Sequence, residues 1–125
     1  MAAQLIRRLR AENDSPPHQL AVLGRLDREG ARTTSQLAAA ERIRPQSMAQ
    51  TVADLVAAGA VSRRPDPADK RQVLLELTVG GRELIHRERR ARETWLAQRI
   101  AEDCDGRELS CLEEAVALLQ RVMAR

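Results

Sequence analysis

The stretch from residue 60 to residue 78, AVSRRPDPADKRQVLLELT, is the part of the chain that most constrains its fold. In its second half Val73, Leu75 and Leu77 alternate with polar residues, which is the period of a half-buried strand. Two prolines stiffen the middle of the stretch, and two aspartates there favour turns. The pattern therefore predicts two short strands joined by a charged loop, that is, a projecting β-hairpin.

Four basic residues place positive charge on and beside this hairpin: Arg63, Arg64, Lys70 and Arg71. A basic tip can enter a narrow minor groove of DNA, where the electrostatic potential is most negative. We interpret all four as candidate DNA contacts, and Asp69 as the partner that orients Arg71. The alternative is an exposed hairpin that is stabilised by its own ion pairs.

The segment just before the hairpin, residues 45–58, predicts a helix with proline at its first position and Gly59 at its end. Met48, Val52 and Leu55 share one side and are expected to be buried. The opposite side is polar yet nearly uncharged, with Gln46, Ser47, Gln50 and Asp54 on it and Thr51 at its border.

Amide and hydroxyl groups both donate and accept hydrogen bonds, so this polar face suits base edges in a major groove. Gln46, Ser47, Gln50 and Thr51 are the candidate base contacts, and Arg44, just before the helix, is placed to hold the DNA backbone. An ordinary solvated helix face is the alternative explanation of the same polar stripe.

The length fits one domain over residues 1–125, and the composition limits the kinds of molecule that the protein could bind. The net charge of +3 carries little weight by itself, so the placement of charge matters more. Trp95 is the only aromatic residue, which argues against a stacking platform for RNA or single strands. The chain has no apolar run long enough to span a membrane, and we expect a cytoplasmic protein.

The residues that usually build metal or catalytic sites are few and scattered. Cys104 and Cys111 are the only cysteines, expected to be reduced, with Cys111 packed in a helix seam. His18 and His86 are isolated in sequence, and surface or capping roles are expected for them. No zinc-ligand spacing, nucleophile–base pair or phosphate loop is present, so we expect no metal, no cofactor and no enzyme activity.

Capping signals divide the rest of the chain into helices. Residues 2–12 predict a short helix, and Ser15 followed by Pro16 predicts the cap and first position of a second helix that ends at Gly30. Thr33 with Gln36 forms a capping box for a very short third helix.

Two further helices are predicted after the hairpin. Thr78 caps a long helix over residues 79–103, and a last helix covers residues 106–124. Its apolar residues repeat at intervals of three and four, which is the seam of a helix that packs along another helix: Leu109, Leu112, Val116, Leu119 and Met123. The element order is α-α-α-α-β-β-α-α, a mainly helical fold with a small hairpin that is typical of a winged helix-turn-helix.

The sequence also resembles a known family, the MarR (multiple antibiotic resistance regulator) family, over roughly residues 15–100. The stretch DPADKR at residues 66–71, with Leu77, Thr78 and Gly81 after it, resembles the family's wing. The stretches TTSQLA at residues 33–38 and PQSMAQTV at residues 45–52 resemble its helix-turn-helix.

The resemblance implies a homodimer that binds a near-palindromic operator in double-stranded DNA, with the fourth helix in a major groove and the wing tip in a minor groove. It implies wing-tip contacts by Lys70 and Arg71, supported by Asp69, and base contacts on the fourth helix. Residues 1–14 and 100–125 would be dimerisation helices, 15–81 the DNA-binding lobe, and 79–103 the connecting helix.

The family also implies a transcription regulator, with a repressor that responds to a small-molecule effector as the main expectation. The sequence departs from the family in its short first helix and in offering one aromatic residue, where effector pockets are commonly lined by several. A winged-helix module that binds an acidic protein is the alternative function, since one fold hosts many functions.

Overall fold

The computed structural model describes all 125 residues. The elements are α1 (Ala2–Arg10), α2 (Pro17–Glu29), β1 (Arg32–Thr33), α3 (Thr34–Glu41), α4 (Pro45–Ala57), β2 (Val61–Pro65), β3 (Val73–Leu77), α5 (Val79–Asp103) and α6 (Gly106–Met123). The predicted helical order and the hairpin are confirmed. Strand β1 is an addition, because a two-residue strand is too short to show alternation.

The three strands form one antiparallel sheet in the order β1-β3-β2. In the hairpin Val61 pairs with Leu77 and Pro65 with Val73, while Arg32 of β1 pairs with Leu75. Leu75 is buried, whereas Val73, nearer the loop, is 47% exposed. The hairpin therefore leaves the protein body as it approaches its loop, as the sequence predicts.

Side-chain hydrogen bonds cap three of the six helices, α3, α5 and α6. The Thr33 hydroxyl accepts from the Gln36 backbone N–H at 3.1 Å, and the Gln36 side chain accepts from the Thr33 N–H at 2.9 Å. The predicted cap of α2 is wrong. This helix begins at Pro17 without a side-chain cap, and the Ser15 hydroxyl instead donates to Glu88 at 3.2 Å.

The core lies between α2, α3, α4, the sheet and the first half of α5. Its fully buried large side chains are Val22, Leu23, Leu37, Met48, Val52, Leu55 and Leu75. Burying an aliphatic side chain of this size contributes about 1.5–3 kcal/mol relative to leaving it exposed. Because three of these residues belong to α4, the core fixes which side of α4 faces outward.

The first turn of α5 lies against the start of β2. The Thr78 hydroxyl caps α5 by accepting from the Gly81 N–H at 3.0 Å, and it donates to the Gly59 carbonyl at 2.6 Å. The Thr78 N–H donates to the Ala60 carbonyl at 3.1 Å. Gly81 is buried against that same carbonyl, so the helix approaches the strand at a distance that leaves no room for a side chain.

The connection between α1 and α2 is fixed to the middle of α5. The Asn13 side-chain amide donates to the Glu88 carbonyl at 2.9 Å, and the Asp14 N–H donates to the Glu88 carboxylate at 3.3 Å. Glu88 is only 5% exposed. Nearby, the Arg8 guanidinium lies 4.4 Å from the centre of the Trp95 ring, a cation–π contact that holds α1 against α5.

Helix α6 has no buried residue in the single chain. Its apolar seam is exposed, from 41% at Leu109 and Leu112 to 75% at Met123. Cys111 is exposed as well, which contradicts the expectation that it is packed, because no other part of the chain covers this helix. None of the helices combines the length and the apolar character needed to cross a membrane.

Candidate nucleic-acid interface

Helix α4 presents a polar, uncharged surface at its N-terminal half. Gln46, Ser47 and Gln50 are exposed, while Met48 anchors the opposite side in the core. Arg44 is the residue before the helix and is exposed. All four of these sequence-predicted residues are therefore accessible, within or just before the first two turns of α4.

Thr51 contributes less to that surface than the sequence predicts. Its side chain is buried at 6% exposure, and its hydroxyl donates to the Ser47 backbone carbonyl at 3.1 Å. A threonine inside a helix satisfies its hydroxyl in this way when no solvent is available. Thr51 therefore faces the protein interior, and its hydroxyl proton is not free to bond a base.

The end of α4 carries one carboxylate close to the polar surface. The Gln50 amide donates to the Asp54 carboxylate at 2.9 Å, and both side chains are exposed. This contact fixes the amide, so that its oxygen stays available as an acceptor.

The wing loop is ordered by its two aspartates. The Asp66 carboxylate accepts from the Ala68 N–H at 2.9 Å, and the Asp69 carboxylate accepts from the Arg71 N–H at 3.0 Å. The Arg71 Nε also lies 3.3 Å from Asp69 Oδ1, while 92% of the Arg71 side chain is exposed. The expected Asp69–Arg71 contact is present, and most of the guanidinium still faces solvent.

Arg64 is placed differently from the other wing cations. Its guanidinium donates to the Glu76 carboxylate across the hairpin, with 2.8 Å between nitrogen and oxygen. This hydrogen bond raises the pKa of Arg64 above its ordinary value and lowers the pKa of Glu76 below its ordinary value. Arg64 therefore stabilises the hairpin, as the ion-pair alternative predicts, whereas Arg63, Lys70 and Arg71 are exposed on it.

The structure adds one residue to this surface that sequence reasoning did not place there. His18, in the first turn of α2, lines the same cavity of about 390 Å³ as Ser47 and Gln50. His18 is isolated in sequence and lies far along the chain from α4, so no motif signals the contact. Only the packing of α2 against α4 brings them together.

Comparison with known proteins identifies the family of this chain. A family model described as MarR family matches residues 13–72. An uncharacterized HTH-type transcriptional regulator of Mycobacterium bovis is 46% identical over 101 residues, which cover 78% of this chain and 71% of the relative. The chain belongs to the MarR family.

Solved structures show that the MarR fold extends over the whole chain. A Pseudomonas aeruginosa protein aligns with a TM-score of 0.86 and 36% identity, covering 98% of this chain and 87% of that one. A mutant MarR of E. coli, crystallised with operator DNA, aligns with a TM-score of 0.67 and 25% identity, covering 97% of this chain and 89% of that one. The protein is therefore a winged helix-turn-helix transcriptional regulator of the MarR family, which is a DNA-binding and not an enzymatic family.

Proposed function

We propose that this MarR-family protein is a sequence-specific repressor that binds a near-palindromic operator as a homodimer and responds to a small-molecule ligand. The observation that carries the proposal is the exposed, uncharged polar surface of α4 beside a wing whose Arg71 is held by Asp69 yet almost fully exposed. The crystallised complex of the related E. coli MarR with operator DNA supports double-stranded DNA as the partner. A regulator of transcription acts at the chromosome, which supports the expected cytoplasmic location.

The DNA contacts divide into two groups with different measurable effects. Gln46, Ser47 and Gln50 would contact base edges in the major groove, and these contacts carry sequence preference. Arg44 and the wing cations Arg63, Lys70 and Arg71 would contact phosphate or the minor groove, and these contacts carry affinity and its salt dependence. We leave Thr51 and Arg64 out of the contact set, because one is buried and the other is paired with Glu76.

The second copy is proposed from the surface that the single chain leaves uncovered. The apolar seam of α6 is exposed along its length, and Leu5 and Ile6 of α1 are exposed at 48% and 47%. Both elements lie outside the DNA-binding lobe, at the two ends of the chain. Packing these helices against a second copy would bury the seam and place two copies of α4 on one face of a duplex.

The test of DNA reading is selection of bound sequences from a random duplex pool by the full-length protein. We expect an inverted repeat whose half-site centres lie about one helical turn apart, roughly 10 base pairs. Recovery of sequences without a shared motif would contradict sequence-specific binding. Recovery of a single, non-repeated half-site would contradict the proposed dimer.

The wing assignment is tested by a fluorescence-anisotropy titration of the selected operator with Arg71→Ala. Loss of one phosphate contact per subunit, two per dimer, should weaken binding about a hundredfold and reduce the slope of log affinity against log salt by about 1.8. Arg87→Ala, which removes an exposed arginine on α5, is the matched control and should bind like the wild type. Equal salt slopes for all three proteins would exclude Arg71 as a contact.

Ligand response is proposed from a cavity of about 300 Å³ between α2 and α5. Five arginines and a single carboxylate, that of Glu41, line it: Arg10, Arg25, Arg28, Arg89 and Arg92. Arg25 is already paired with Glu41 at 2.7 Å, and Arg89 is paired with Asp27 at 2.9 Å. The remaining positive charge favours an anionic ligand, and the cavity has none of the aromatic lining that is common in effector pockets of the family.

Inorganic pyrophosphate and citrate are suitable probes of this cavity. At matched ionic strength they should raise the melting temperature of the wild type more than that of Arg28→Ala, and should weaken operator binding by the wild type. Equal effects on both proteins would place the anions elsewhere. Repression itself is tested by transcription in vitro from a promoter that contains the selected operator, where added protein should reduce transcript.

The alternative, a module that binds an acidic protein, fits the surface less well. Interaction surfaces usually centre on exposed aromatic or large aliphatic anchors. The exposed face of α4 offers amides, a hydroxyl and Ala49. The one aromatic residue, Trp95, is on α5, where it contacts Arg8 of α1. An absence of any duplex binding in dilute buffer would favour this alternative over the proposed function.

A further inference from the structure

His18 is the second residue of α2, and its side chain is exposed at the end of that helix nearest α4. It lines a cavity of about 390 Å³ together with Ile43, Ser47, Gln50, Thr51 and Asp54. All of these partners belong to α4 or to the turn before it. The imidazole therefore borders the polar surface through which α4 is proposed to read DNA.

A duplex that brings base edges to Ser47 and Gln50 must also bring the flanking phosphates to the rim of that surface. His18 forms part of the rim on the α2 side. Phosphates are the groups on duplex DNA that an imidazolium binds best, because the contact is a charge-assisted hydrogen bond. The position of His18 thus matches a phosphate next to the major groove and not a base edge inside it.

The charges around His18 leave it free for such a contact. Asp54 is the only other ionisable residue that lines the cavity, and its carboxylate already accepts from the Gln50 amide at 2.9 Å. The second histidine, His86, is placed differently. Its Nε2 lies 3.8 Å from an Asp27 carboxylate oxygen that also accepts from Arg89 at 2.9 Å, on the surface of α5.

We propose that His18 binds a phosphate of the DNA backbone beside the major groove as the imidazolium, and that it makes operator affinity depend on pH. This inference rests on the proposed DNA-binding function. Imidazole is the side chain whose charge changes most readily in the physiological pH range. DNA binds the protonated form more tightly, so affinity rises as pH falls through this region and levels off at higher pH.

The experiment is a fluorescence-anisotropy titration of the full-length protein with the selected operator between pH 5.8 and 8.0 at constant ionic strength. One charge-assisted hydrogen bond corresponds to about tenfold in affinity. Because a dimer places two copies of His18 on the operator, we expect the wild type to bind about 25- to 100-fold more tightly at pH 5.8 than at pH 8.0. At pH 5.8 its salt slope should exceed the slope at pH 8.0 by about 1.8, the value for two added phosphate contacts.

Three variants separate His18 from other sources of pH dependence. His18→Gln should bind with the same affinity at both pH values, close to that of the wild type at pH 8.0. His18→Lys carries a permanent charge and should bind at both values like the wild type at pH 5.8. His86→Gln is the matched control and should keep the full pH dependence. Equal far-ultraviolet circular dichroism of all variants shows that the fold is intact.

The outcomes distinguish this inference from the function on which it rests. A wild type that binds the operator equally at pH 5.8 and 8.0 would overturn the role of His18 and leave DNA binding intact. The same conclusion follows if the pH dependence persists in His18→Gln or disappears in His86→Gln. A wild type that binds no duplex at any pH, even in dilute buffer, would overturn the proposed function itself.

Discussion

The substitution Gly81→Ala tests how the long helix α5 is joined to the DNA-binding lobe. A Cβ atom at Gly81 would collide with the Ala60 carbonyl oxygen, and it would lie 2.9 Å from the Ala60 carbonyl carbon and 3.1 Å from a Leu77 methyl group. The oxygen cannot move away freely, because it accepts the hydrogen bond from the Thr78 N–H at 3.1 Å. The collision is therefore with fixed backbone and not with a flexible side chain.

The size of the effect follows from two opposing contributions. Overpacking of this kind costs about 1–3 kcal/mol, and a backbone collision belongs at the upper end. Alanine in place of glycine returns up to about 1 kcal/mol through helix propensity. We expect a net loss of about 2 kcal/mol in the free energy of unfolding, which for a chain of this length lowers the melting temperature by roughly 8 °C.

Gly80→Ala is the matched control one residue earlier in the same helix. Its Cβ would lie 3.6 Å from the Gly59 carbonyl oxygen and 3.6 Å from the Thr78 hydroxyl, which are ordinary contacts. The control should be as stable as the wild type or more stable, by up to about 1 kcal/mol. Thermal and urea unfolding, followed by circular dichroism at one protomer concentration, measure both variants. If the two variants melt together, the close approach of α5 to β2 is not present in solution.

Three further predictions concern other contacts. Val116→Glu places a charge in the exposed seam of α6 and should convert a dimer into a monomer without loss of helix content. Light scattering after gel filtration measures the mass, and an unchanged mass would contradict a dimer interface on α6. Glu88→Ala removes the buried acceptor of the Ser15 hydroxyl and should cost about 1–3 kcal/mol in urea unfolding, whereas an unchanged midpoint would show that the connection is not held there. Arg64→Gln removes the partner that lowers the pKa of Glu76, so the wild type should lose more stability than the variant as pH falls below 4.5. Parallel acid unfolding curves of the two proteins would contradict a stabilising ion pair between Arg64 and Glu76.

The sign of the acid prediction comes from the direction of the pKa change. The folded state holds the pKa of Glu76 below its ordinary value of 4.5, because the ionised carboxylate accepts a hydrogen bond from Arg64. The contribution to stability is therefore complete above that value and is lost as pH falls through the lower pKa of the folded state. Both side chains are about 40% exposed, so the effect is small and sensitive to salt.

What the sequence predicts correctly depends on short-range signals. The capping box of Thr33 and Gln36, the Thr78 cap and the helix end at Gly30 each involve groups within one turn, so their outcome is fixed locally. The alternation in β3 and the pairing of Asp69 with Arg71 are equally local. The wing and most of the proposed reading surface follow from these signals.

What the sequence does not predict depends on partners that only the fold brings close. Ser15 is captured by Glu88, 73 residues away, instead of capping α2. Strand β1 exists because Arg32 reaches Leu75. Thr51 lies at the border between the buried and exposed sides of α4, and helical periodicity alone does not predict that it is buried. His18 lies beside α4 only because α2 packs against α4.

The unbroken length of α5 has a mechanical consequence. Its 25 residues form a rod of roughly 37 Å at about 1.5 Å per residue, with the hairpin at one end and α6 at the other. Glu88 holds the connection between α1 and α2 against α5 near the middle of the helix. This contact can serve as the point about which α5 pivots. Tilting such a lever by about 5° about its middle would shift each end by roughly 1.5 Å, about half the length of a hydrogen bond. In the proposed dimer, a tilt of α5 that leaves every helix intact would change the distance between the two wings and so decide whether both fit the same duplex.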